Sequence, residues 1–192
     1  GRTFSLVANE AGTSFEVEIG TINAVSGAAA LSVAFGKTGA AIAGAGAYSE
    51  NVVQSNTSAY IDAAIVAATT GNVLVDARNE SGINAITVAA AIALGIGKTG
   101  LGVSIGAAIS QNLIGREARD ADYSVGTYAY IQNSEVSADN GDINVLALSE
   151  QKINALNVAG AVAIAAGKTG VAISGSGVYV RNVIDAETSA KI

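Results

Sequence analysis

Two sets of residues in this chain have the types and spacing that chemistry uses. One is a phrase that occurs three times, as Gly36-Lys37-Thr38-Gly39, Gly97-Lys98-Thr99-Gly100 and Gly167-Lys168-Thr169-Gly170. Gly-Lys-Thr closes the nucleotide-binding loop in which backbone N–H groups cradle phosphates and the lysine reaches the outer ones. That loop needs another glycine five positions before the Gly-Lys pair, and those positions hold Leu31, Ile92 and Val162. The phrase therefore reads as a turn, with Gly36, Gly39, Gly97, Gly100, Gly167 and Gly170 supplying positive φ and Lys37, Lys98 and Lys168 keeping each tip wet. Lysines along one edge would also discourage wrong strand pairing.

The other set is acidic. Glu117, Asp120 and Asp122 are interleaved with Arg116 and Arg119, a grouping that could serve as a glycosidase pair or a calcium site. Asp120 and Asp122 are the candidate metal ligands, while Asp139, Asn140 and Asp142 resemble part of a calcium loop without completing a known one. Calcium thus stays open as a ligand with no full motif behind it, no other cofactor is indicated, and a solvated loop is the plainer reading. Tyr60, Tyr123, Tyr128 and Tyr130 could form an aromatic surface for sugar or protein contacts. Asn56 and Asn79 sit in Asn-x-Ser/Thr patterns, and both are read as structural.

Composition removes much else. The 192 residues contain no His and no Cys, so the usual acid–base switch, disulfides and thiolate metal sites are absent. With 10 basic and 16 acidic residues the net charge is −6, which argues against a nucleic-acid partner. Half of the residues are hydrophobic but only 5% are aromatic, and there are 23 Gly and no Pro. Such a core consists of small side chains in regular layers, with backbone ladders uninterrupted by proline. The start lacks Met and a signal peptide, which suggests a piece of a longer parent with flanking repeats.

The elements that would position these residues follow from the repeat. The first two phrases begin 97 − 36 = 61 residues apart and the next two 167 − 97 = 70 apart. Ile22-Asn23-Ala24 recurs as Ile83-Asn84-Ala85 and Ile153-Asn154-Ala155, and Asn51, Asn112 and Asn182 occupy one equivalent position. These last three are read as turn residues that bond backbone or one another. The excess of nine residues falls in the second copy, near 115–126. Residues 1–192 thus form one repeat array, with a divergent coil or cap at 1–21, a first repeat at 22–82, a second with the insertion at 83–152 and a partial third at 153–192. Phe15 to Ile19 alternates like a strand in a shifted register.

In Val73, Val75 and Ala77 against Ile143, Val145 and Ala147 one parity stays apolar, the mark of a strand with one buried face. The Ala-rich arms around each Gly-Lys-Thr-Gly are apolar on both faces. Their Val, Ile and interior glycines favour strands over helices, and the outer face calls for a cover. Each arm is too short for a spanning helix and does not alternate like a barrel strand, so membrane insertion is disfavoured.

Runs such as Asn182-Val183, Ala129-Tyr130-Ile131-Gln132-Asn133-Ser134, and Val136-Ser137-Ala138 with Gly141-Asp142-Ile143 resemble the repeat modules of large bacterial surface adhesins of the filamentous haemagglutinin-like, β-helical kind. The resemblance runs from about Ile22 to Ile192. It implies an all-β, parallel β-helix (β-solenoid), right-handed as parallel connections are, in an extracellular or cell-surface chain. The expected function is a structural stalk or adhesin/fibre segment of a secreted or surface-anchored bacterial protein, with no enzymatic activity. The alternatives are a self-assembling extracellular filament subunit, and a carbohydrate-binding or carbohydrate-active β-helix with its site at the insertion. Partners would be flanking repeats, another copy, or a surface glycan or protein. Two or three coils per 61-residue unit would set equivalent lysines about a Debye length apart.

Overall fold

A computed structural model describes residues 2–8, 13–115 and 125–192. Every element is a strand: β1 (Arg2–Ala8), β2 (Thr13–Val53), β3 (Thr57–Asp62), β4 (Ile65–Ala68), β5 (Val73–Ile114), β6 (Val125–Gln132), β7 (Glu135–Ala138), β8 (Ile143–Ala166), β9 (Thr169–Ile184) and β10 (Ala186–Lys191). They form three sheets. The largest runs β1-β2-β5-β8 with β9 also on β5, the second runs β10-β6-β3, and the third pairs β4 with β7. All pairings are parallel except β1 on β2, which is antiparallel.

The repeat is the hydrogen-bond register. Strand β2 pairs with β5 from Thr13↔Leu74 to Val53↔Ile114, so each residue bonds its counterpart 61 positions on. From β5 to β8 and β9 the offset is 70, as in Asn112 with Asn182. Two expectations are corrected here. The register is not shifted at Phe15–Ile19, which meets Asp76–Glu80 at the same offset. Nor does a unit hold two or three coils: each of the first two contributes one strand to each sheet, so units advance by one interstrand spacing, about 4.8 Å. The reason is that about half of each unit is spent on the arms, which leaves too little chain for a second circuit.

Near the chain corners the three sheets enclose a core of ordinary kind. Val73, Val75 and Ala77 of β5, Ala59 and Ile61 of β3, Ala68 of β4, and Ala129 and Ile131 of β6 make one buried cluster. The corner residues Ala63 and Asn133 are equivalent and both have φ of 50°, a left-handed conformation that asparagine tolerates better than alanine.

Beyond Ile83 the chain leaves this base as an outbound arm, reverses at Gly-Lys-Thr-Gly, and returns. The reversal shows in the packing: Ala34 before the tip and Ala41 after it share a cluster with Ala91 and Ala93. Ser104 Oγ on the return arm donates to the Ala91 carbonyl at 2.8 Å. In the third unit the break between β8 and β9 falls at the same tip. Each arm is therefore a parallel sheet that lies face to face with the other.

Alternation along the arms is one of size. Ala85, Thr87, Ala89, Ala91 and Ala93 point inward, as do Ser104, Ala108 and Ser110 from the return side, and all are buried. The backbones come close enough that a Cβ on Gly102 would stand 2.9 Å from the Ile164 carbonyl oxygen, nearer than real side chains sit. Small residues are the condition for this packing. The larger aliphatic residues occupy the other parity and face outward.

Candidate interaction surface

At the tips, Gly36 pairs with Gly97, and Thr38, Thr99 and Thr169 stack in turn. The Lys168 N–H donates to the Lys98 carbonyl at 3.1 Å. Backbone N–H groups here are spent on neighbouring units, so the phrase forms a stacked turn and no phosphate cradle. Of its glycines only Gly36 has positive φ, at 154°. Gly97 and Gly167 are required for a different reason: a Cβ on either would strike the carbonyl of the tip before it. Lys37, Lys98 and Lys168 are exposed and stand one strand apart, far closer than a Debye length.

Asn51, Asn112 and Asn182 lie within β2, β5 and β9 and not at turns, which corrects that part of their reading. Their amides form a ladder between units: Asn51 Nδ2 donates to Asn112 Oδ1 at 2.8 Å, and Asn112 Nδ2 donates to Asn182 Oδ1 at 2.8 Å. Asn112 also donates to Ser110 Oγ and is fully buried. A second ladder runs on the outside, from Asn154 to Asn84 at 2.8 Å and from Asn84 to Asn23 at 2.9 Å. Asn79 is buried and donates to Ser55 Oγ at 2.7 Å, so it cannot receive a glycan as the chain stands folded.

The aromatic candidates come together only in part. Tyr60 and Tyr130 stack with ring centroids 5.2 Å apart and planes 8° from parallel. They are register partners on adjacent strands, so their faces cover one another along the stacking direction. Tyr128 lies two residues away, and its hydroxyl donates to Glu187 Oε2 at 3.2 Å. Its pKa is raised, first by burial and then by the Glu187 charge. Tyr123, Asp120 and Asp122 lie outside the described residues. Among the described residues no three acidic or other ligating side chains are grouped to hold a metal ion, and no helix is long and apolar enough to cross a membrane.

A broad exposed feature is the outer faces of the arms, for which the sequence called for a cover by neighbouring units, a second sheet or, in the filament alternative, another copy. On the outbound side Val25, Leu31, Val33 and Phe35 lie beside Ile86, Val88 and Ile92, and these beside Leu156, Val158, Val162 and Ile164, all exposed. No charged or polar residue interrupts the outward parity between the outer Asn ladder and the tip lysines. Leu31 and Phe35 are 72% and 73% exposed. The return side alternates Ile42, Ile105 and Ile173 with open glycines Gly44, Gly46, Gly175 and Gly177. The signal in the sequence was bulk: Ile86, Val88, Ile92 and Leu94 share one parity, and Ala85, Ala89, Ala91 and Ala93 the other.

One acidic and one basic group of β5 form a local pair. Asp76, 4% exposed at its side chain, meets Arg78 at 2.9 Å, and the hydrogen bond and charge of Asp76 raise the guanidinium pKa. In comparisons with known proteins, no family model, no curated protein and no solved structure matches this chain.

Proposed function

We propose that this chain is a structural segment, a stalk or fibre element of a secreted or surface-anchored bacterial protein, built as a right-handed parallel β-solenoid and acting without catalysis. The observation that carries the reading is the residue-for-residue parallel pairing of three units through the two larger sheets and of two units through the smallest. An element whose units differ in sequence yet hold one register is suited to setting length and stiffness. The extracellular location rests on the resemblance to adhesin repeats, and flanking repeats of the same kind are the partners that would continue the stack.

The test is length. Chains with one, two or four added copies of residues 22–82 should lengthen by about 4.8 Å per copy in small-angle scattering or electron micrographs. Growth by tens of ångströms per copy would overturn the stacking, and density for the stack would report its hand. A sugar-binding reading draws less support, because one face of each ring is taken up by the Tyr60–Tyr130 stack.

A further inference from the structure

We propose that the outer face of the outbound arms is a self-association surface whose occupant is a second copy of this chain, packed face to face and antiparallel. It deepens the fibre reading by naming the partner, and its failure would leave the length measurement above untouched.

The patch has a definite size. Its outward rows run from Val25 to Phe35 and from Ile86 to Ile96, with Leu156 to Ala166 beside them, across strands β2, β5 and β8. Ten residue steps at about 3.3 Å and three strands at about 4.8 Å give roughly 480 Å² per partner. Two partners bury roughly 950 Å², at the lower bound of a specific interface of about 1,000 Å². A weak, concentration-dependent pair follows for three units.

Shape and charge choose the partner. The patch ends at the Asn23–Asn84–Asn154 ladder on one side and at the lysine tips on the other, and repeats at the interstrand spacing. A sheet face with the same band length and the same period covers it without leaving polar groups under apolar rows, and a second copy presents that face. Parallel packing would set lysine tips against lysine tips. Antiparallel packing carries Lys98 and Lys168 over the partner's outer Asn ladder, toward the root of the arm, where the exposed Glu80 and Glu150 are register neighbours and the exposed Lys152 lies between Glu150 and the ladder. At each end of the patch the lysine tips then face two carboxylates and one ammonium, a net attraction that parallel packing lacks.

Hydrocarbon is the poorer occupant. Beyond Ile19 the outer edge of β2 has no paired strand among the described residues, and the far edge of β8 has none. Rows of N–H and C=O groups on such edges stay hydrated when two faces meet in water, whereas lipid cannot satisfy them.

Sedimentation velocity of the whole chain over about a hundredfold range of concentration tests this. A monomer–dimer equilibrium is expected, weaker at high salt because the end pairs are screened. The row variant Leu31→Thr/Ile92→Thr/Val162→Thr should raise the dissociation constant about tenfold or more. The matching row on the return face, Ile42→Thr/Val103→Thr/Ile173→Thr, should leave it within about twofold. Glu80→Lys/Glu150→Lys should weaken the pair at low salt and not at high salt. Circular dichroism of each variant checks the fold, and single Ile92→Thr and Val103→Thr replace any triple that does not fold. A monomer at every concentration overturns the proposal, as does loss of pairing from the return-face row alone. So does a chain that stays monomeric in buffer and binds only to phosphatidylcholine–phosphatidylglycerol vesicles.

Discussion

Base and arms solve burial in opposite ways with the same backbone pairing. In the base, Val73, Val75, Ile61 and Ile131 point into a common core, and large apolar groups are removed from water. In the arms the inner parity carries Ala89, Ala91, Ala93 and Ser104, and the large groups are left outside. A polarity rule would assign the arms no inside at all. What separates their faces is volume, because two sheets this close admit nothing bigger than a hydroxymethyl or methyl group across most of their length.

The comparison breaks or sharpens first at the asparagine ladders. Asn112→Ala deletes the buried middle rung and leaves the buried Asn51 amide without its partner, a loss of about 1–3 kcal/mol. Asn84→Ala removes the equivalent rung from an exposed ladder and should cost under about 1 kcal/mol. Urea unfolding of the two variants side by side checks the ratio, and equal losses would mean that the inner ladder is wet.

Next comes size inside the arms. Ala91→Leu must wedge the facing sheets apart and should cost about 1–3 kcal/mol despite adding apolar surface; a stabilised variant would show that the arms are looser than their contacts indicate. At the corner, Ala63→Gly should raise stability by about 1 kcal/mol, since alanine holds φ of 50° there and glycine carries no such cost. A lower thermal midpoint would refute it. On the outer face, Ile92→Thr should change stability of the monomer by no more than about 0.5 kcal/mol, measured at a concentration below any association.

The smallest effect is alkaline. Tyr128 keeps its proton in the folded state at pH values where the unfolded chain gives it up, because its folded pKa is raised. Its contribution is complete below the ordinary tyrosine value of about 10 and declines as pH rises past it. Tyr128→Phe should therefore flatten the fall in urea midpoint between about pH 9 and 11; an unchanged slope would assign the fall to other groups.

How much of this was readable before the fold depended on which physical quantity the residues encode. Ile22, Ile83 and Ile153, or Asn51, Asn112 and Asn182, announce equivalence, and equivalence became register. Val73, Val75 and Ala77 alternate with variable residues, so their inward direction was legible. The turn at Gly-Lys-Thr-Gly was legible too, but its glycines were assigned conformational freedom when Gly97 and Gly167 answer to the crowding of stacked tips. The interior place of Asn112 was not legible, because an amide ladder in mid-strand has the same letters as a turn. Nor was the single strand per sheet in each unit: no local pattern states that two apolar arms will lie on each other and consume half of the repeat.

The seam in the second unit has a consequence for how such a chain can diversify. Paired residues differ by 61 up to Val53↔Ile114 and by 70 from Thr57↔Thr127 onward, so all surplus residues of that unit are confined between Ile114 and Val125. Pitch and registry on either side take no notice of them. A lineage can therefore rewrite, enlarge or exchange the passage at this one junction while the pairings on either side of it keep their register.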